Sequence, residues 1–143
     1  MFLLRKHISV LMLGLALMLG FSTASNAQEK EKPLNRILLV FDGSQSMFGH
    51  WESGMKIDIA KQLLNELLDS LKNVDNLELA FRAYGHQSPY ISSSQRDCKD
   101  TKLEVPFGGG GAWEIKKALD KIQPKGTTPI AYSLEQSAKD FPP

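Results

Sequence analysis

The 143-residue sequence holds one cysteine, almost no net charge and no apolar run of membrane-spanning length. Each scarcity excludes something. With 17 basic against 16 acidic residues and no basic cluster along the mature chain, nucleic acid is not the expected partner. No cysteine follows the apolar stretch near the start, so a lipoprotein anchor has no support. The glycine run Gly108 to Gly111 leads into Ala112-Trp113 and lacks the Lys-Ser/Thr that closes a phosphate loop. No internal repeat is present. One domain with an adequate core is the size expected from this length and its 42% apolar content.

What is present begins with an export signal. Arg5 and Lys6 precede an apolar stretch from Ile8 to Phe21, and Ser25-Asn26-Ala27 supplies small residues for cleavage after Ala27. Removing Arg5 and Lys6 leaves 15 basic and 16 acidic residues, a mature charge of −1. The expected destination is the periplasm or the exterior, with no membrane span after cleavage. There an unpaired Cys98 is unusual, so a partner cysteine beyond Pro143 or a disulfide-linked dimer is expected. Residues 28–35 read as a linker and 36–143 as the domain.

Within the domain, Ile37-Leu38-Leu39-Val40-Phe41 reads as a strand buried on both faces, as in a parallel sheet. A helix is expected over Met55 to Lys72, with Ile57, Ala60, Leu64, Leu67 or Leu68, and Leu71 inward and Ile59 and Leu63 widening the face. Leu77 to Tyr84 alternates as a second strand, with one face less buried. Lys102 to Val105 is a short edge strand stopped by Pro106. A helix carrying Ile115, Ala118, Leu119 and Ile122 follows, and Pro124-Lys125-Gly126 breaks it. Pro129 then opens a last helix with Thr128 as its cap and Ile130, Leu134, Ala138 and Phe141 as its apolar stripe. Strands alternating with helices predict an α/β fold, a doubly wound, mostly parallel, Rossmann-like sheet.

The first strand ends in Asp42-Gly43-Ser44-Gln45-Ser46, where open α/β sheets place their ligands. Asp42, Ser44 and Ser46 alternate with other residues, so a curled loop can turn three oxygens to one point. Hard oxygen donors suit Mg²⁺, Mn²⁺ or Ca²⁺. Taken alone, the loop also reads as a turn with Ser46 as a helix cap. His50 and His86 read as solvent-facing loop histidines. Phe48 and Trp51 read either as cover for the core or as aromatics flanking an ion and selecting its partner.

An apolar strand ending in Asp-x-Ser-x-Ser, followed later by Gly126-Thr127-Thr128 opening a helix, resembles the von Willebrand factor type A domain over about Arg36 to Phe141. The resemblance implies a metal-ion-dependent adhesion site. Ser44 and Ser46 would be direct ligands, and Asp42 would hold the ion through water. Thr128 would be the loop ligand, with Thr127 the neighbouring candidate. The family's further acid would follow a later strand, and Pro143 precedes any such strand. The first strand would then be left as an open edge. Residues 28–143 alone are accordingly expected to be marginal and to form the front part of a longer protein.

The expected function is divalent-cation-dependent binding of a protein that supplies a carboxylate, with Mg²⁺ the favoured ion and no catalysis. The rival is an exported metal-dependent hydrolase or phosphotransfer enzyme using Asp42. That rival needs a second acid or a general base, and the motif offers neither. A structural fragment without a working site is a third reading.

Overall fold

The computed structural model describes residues 32–89 and 97–143. The expected signal segment and residues 90–96 lie outside these residues. The order is β1 (Asn35–Asp42), a 3-10 turn (Gln45–Phe48), β2 (His50–Trp51), β3 (Gly54–Met55), α1 (Lys56–Leu71), β4 (Leu77–Tyr84), β5 (Thr101–Val105), α2 (Gly111–Lys121) and α3 (Ile130–Lys139).

β1, β4 and β5 form one sheet in the order β1-β4-β5. β1 and β4 run parallel, with Leu39 opposite Phe81 and Asp42 opposite Tyr84. β5 pairs antiparallel to β4 as an edge strand. The observed architecture is thus a mixed α/β fold with a small, partly parallel sheet. β2 and β3 pair only with each other, as a short antiparallel ribbon.

The side-chain alternation of β4 sorts the layers. Leu79, Phe81 and Ala83 join Phe41, Ile57, Leu68, Ile115 and Leu119 in one core beneath α1 and α2. Ala80, Arg82 and Tyr84 project to the opposite face, against α3. There Arg82 donates to both carboxylate oxygens of Asp140, each at 2.7 Å, with both side chains nearly excluded from water. Both faces of β4 are therefore buried, contrary to the expectation that one would be less so. Small Ala80 and a neutralised Arg82 let a helix close over a face that the pattern Glu78-Ala80-Arg82 marked as polar.

β1 differs in the other direction. Its burial rises from exposed at Asn35 through Ile37 (39% exposed) to Phe41 (7%). Beyond β1 no strand pairs with it among the described residues, so the apolar run is half-buried and not enclosed on both faces. In α1 the inward residues are Ile57 and Leu68, with Ala60, Leu64 and Leu71 packed against the core, while Leu63 and Leu67 face outward.

α3 overturns two expectations. Its apolar residues Ile130 and Leu134 are more than half exposed, and the buried positions are Ser133 and Ser137. Each serine hydroxyl donates back to the carbonyl four residues earlier, Pro129 and Ser133 respectively. This satisfies the hydroxyl and keeps the buried face slim. Phe141 meets Phe107, ring centroids 4.9 Å apart. Helical geometry starts at Ile130, with Pro129 in the capping position, and no side chain caps the helix. Thr128 is not the cap.

Candidate metal centre

β1 ends because Asp42 captures the chain. Its Oδ1 accepts the Ser44 N–H at 2.7 Å, the turn-forming bond that aspartate makes two residues ahead. The curl brings Ser44 Oγ to 3.0 Å from Ser46 Oγ. Ser44 is almost fully buried, whereas Ser46 is exposed at the mouth of the loop.

Three glycines let distant segments meet at this point. Gly43 donates to the Tyr84 carbonyl and its own carbonyl accepts from Lys125 N–H. A Cβ on Gly43 would lie 2.8 Å from His86 Cβ. Gly85 has φ +69°, a left-handed conformation, and a Cβ there would lie 2.3 Å from the Thr127 carbonyl oxygen. Gly126 donates to the Gly85 carbonyl at 2.8 Å and accepts from Gln45 N–H at 2.9 Å. Ser44 and Gly126 form an isolated parallel bridge. The Gly126-Thr127-Thr128 loop is thus fastened by backbone bonds to the Asp42 loop, some eighty residues away in sequence.

Cleft and loop share one cavity of about 430 Å³, lined by Gln45, Ser46, Cys98, Gly126, Thr127, Thr128 and Pro129. Thr127 is engaged elsewhere, its Oγ1 donating to the Asp97 carbonyl at 2.6 Å. Thr128 makes no side-chain hydrogen bond among the described residues, so of the two threonines it is the one left to face a ligand. Cys98, exposed and free, was not anticipated as a site neighbour.

The donor set fits a hard cation. Among the described residues no three His, Cys, Asp or Glu side chains gather into a metal cluster, so any ion here must rely on hydroxyls and one carboxylate. Octahedral Mg²⁺ at about 2.0–2.1 Å puts neighbouring oxygens about 2.8–3.0 Å apart, whereas Ca²⁺ spreads them to about 3.3–3.7 Å. The Ser44–Ser46 separation of 3.0 Å matches the smaller ion. Without a metal, the same separation is a hydrogen bond.

Tyr84 lies opposite Asp42 in the sheet register. Burial, then the negative charge of Asp42 and a hydrogen bond with it, pushes the phenol up to about 12. A raised folded value means its contribution to stability is complete below pH 10 and is lost as pH climbs through 12. Tyrosinate absorbance should therefore show one late-titrating tyrosine that disappears in Tyr84→Phe and moves down, but not fully to the ordinary value, in Asp42→Asn. An Asp42→Asn variant with an unchanged titration would contradict the pairing.

The two histidines separate. His50 is exposed, as expected. His86 is not a solvent-facing loop residue: its side chain is 9% exposed and its Nε2 lies 2.8 Å from Glu104 Oε1. The turn at residues 86–88 folds inward because buried Asp100 accepts the backbone N–H groups of Gln87 and Ser88. Phe48 and Trp51 are about half or more exposed, and Trp51 borders a separate apolar groove with Met47, Ile59, Ala60 and Leu63. Among the described residues no helix is long and apolar enough to cross a membrane.

No protein-family profile matches the chain. It is 30% identical over 142 residues to the uncharacterized protein YwmD of Bacillus subtilis (strain 168), covering 96% of this chain and 60% of that protein. Among solved structures it is similar to the conserved hypothetical protein BatB from Bacteroides thetaiotaomicron, with TM-score 0.56 and 20% identity. That match covers 76% of this chain and 47% of BatB. It is similar also to the PilB minor pilin from Streptococcus sanguinis, with TM-score 0.54 and 16% identity, over 78% of this chain and 28% of the pilin. The chain thus spans about three fifths of its curated relative and under half of the structural neighbours it matches. This chain shares in loose outline the fold of BatB and of an aerotolerance-related membrane protein from Bacteroides fragilis.

Proposed function

We propose that this chain is an exported, doubly wound von Willebrand factor type A-like domain that binds a protein partner through a divalent cation. One observation carries the reading: Ser44 Oγ and Ser46 Oγ stand 3.0 Å apart beside Asp42, with the Thr128 loop bonded against them. Ser44, Ser46 and Thr128 would hold the ion directly and Asp42 through water. Mg²⁺ is the favoured ion, because few protein ligands and open water positions suit it.

Such a bound ion would be short of negative charge, since hydroxyls are neutral and the site contributes one carboxylate. It would supply Lewis acidity toward an acidic side chain of a partner. The protein's own residues orient that encounter. Asp42 fixes the loop through the Ser44 amide, and Gly126 sets the height of Thr128. Among the described residues the cavity lining carries hydroxyls, the Gln45 amide and the Cys98 thiol, with Asp42 the one carboxylate beside it, a set we read as suited to holding an ion and a partner's acid. Export rests on residues 1–27.

The test is calorimetric titration of the full chain with Mg²⁺ and Mn²⁺. Ser46→Ala should weaken binding at least about tenfold while leaving the melting temperature unchanged, because an exposed hydroxyl adds little to stability. Equal affinity in the two proteins would sink the assignment. Turnover of generic ester or phosphate substrates that depends on Asp42 would favour the enzyme instead.

A further inference from the structure

On the other side of Gly43 lies a second cavity, of about 450 Å³, between β5, α2 and the turn at His86. It shares no lining residue with the metal-centre cavity. Four lysines border it, Lys102, Lys117, Lys121 and Lys125, against two carboxylates, Glu104 and Glu114. In a chain whose total charge is close to zero, this is a local concentration of positive charge.

The charges are unequally satisfied. Lys102 Nζ lies 2.8 Å from Glu104 Oε2. Lys117 sits over the Trp113 ring, 4.0 Å from its centroid, and 3.6 Å from Glu114. Lys121 and Lys125 have no carboxylate within 4 Å among the described residues. At the inner wall, Glu104 is held between Lys102 and His86. Burial pushes its pKa up, but the hydrogen bonds from Lys102 and His86 outweigh this and keep it below the usual carboxylate value. Glu104 is thus ionised and His86 Nε2 donates to it. That leaves His86 Nδ1, buried and without a hydrogen-bond partner. With Nε2 as the donor, Nδ1 presents a lone pair, so a group that meets it must bring a hydrogen-bond donor, as the P–OH of a hydrogen phosphate does.

We propose that this cavity is a binding site for a small multivalent oxyanion of the phosphate type, separate from the metal centre. Lys121 and Lys125 supply the uncompensated charge, and the lysine ammonium is a compact point charge suited to phosphate oxygens. The volume lies in the range of small-ligand sites. Glu104 holds His86 and Lys102 in place at the inner wall.

The probe is inorganic pyrophosphate, titrated into the full chain in EDTA at low salt, so that no metal-bound anion contributes. Saturable one-site binding is expected, weakening with added salt, and the imidazole resonances of His86 should move on saturation. The double variant Lys121→Gln, Lys125→Gln should lose about tenfold or more in affinity, and its unaltered melting curve would exclude unfolding. Ser46→Ala should bind pyrophosphate as the parent does, which separates this site from the metal-centre reading. Absence of saturable binding, equal affinity in the lysine variant, or loss of binding in Ser46→Ala would each overturn the proposal.

Discussion

Gly85→Ala is expected to unfasten the candidate metal centre and to cost several kcal/mol of stability. The left-handed conformation alone costs a residue with a Cβ about 1–2 kcal/mol. Here the new carbon would also lie 2.3 Å from the Thr127 carbonyl oxygen and 2.8 Å from Ser44 Cα, both backbone atoms that have no rotamer to escape into. The chain can relieve the overlap only by moving the Thr127–Thr128 loop off Ser44, which breaks the Gly126 bonds to Gly85 and Gln45. Denaturant midpoints should fall sharply, and cation binding should fall with them. Gly54→Ala is the control, since nothing lies within 4 Å of its Cβ position; its effect should stay within about 0.5 kcal/mol. Similar losses in the two variants would mean that the crossing at Gly85 is not tight.

Asp140→Ala should be comparably severe for a different reason. Arg82 reaches Asp140 through Nε and one terminal nitrogen, and donates from the other to Thr101 Oγ1 at 3.2 Å. With side chains 8% and 9% exposed, removal of the acid strands a guanidinium in the interface between β4 and α3. Breaking one partner of such a pair costs about 3–5 kcal/mol. Replacing both, as Arg82→Met with Asp140→Leu, should recover much of that loss, because the penalty lies in the unpaired charge. A single variant that melts like the parent would show that water reaches Arg82.

Local pattern read well where local physics decides. β1, β4, β5 and α1 lie within a residue or two of their expected bounds, since β-branched runs and helical spacing are short-range signals. Failures came where a distant partner sets the outcome. Arg82 looked solvent-facing until Asp140, fifty-eight residues on, neutralised it. The stripe Ile130, Leu134, Ala138 looked like a buried face, yet the serines are inward, each hydroxyl satisfied by the carbonyl four residues earlier. His86 looked like a loop residue because its partner Glu104 belongs to another strand.

At the site, the spacing of Asp42, Ser44 and Ser46 was legible because one turn contains all three. The sequence favoured Thr128 over Thr127 on its spacing from Gly126, but one structural reason for that preference was not legible. It is the Asp97 carbonyl, which occupies Thr127. Gly85 carried a signal that went unused: a glycine just past a buried strand marks close backbone approach.

The central claim is that an ion sits between Ser44 and Ser46. Crystals of the protein grown with Mn²⁺ and measured for its anomalous scattering test it most directly. The account predicts one strong peak within bonding distance of both serine Oγ atoms, facing the Thr128 hydroxyl and reduced or absent in Ser46→Ala. A fully ordered Asp42 loop with no peak there, or a peak seated on the Cys98 thiol instead, would contradict it.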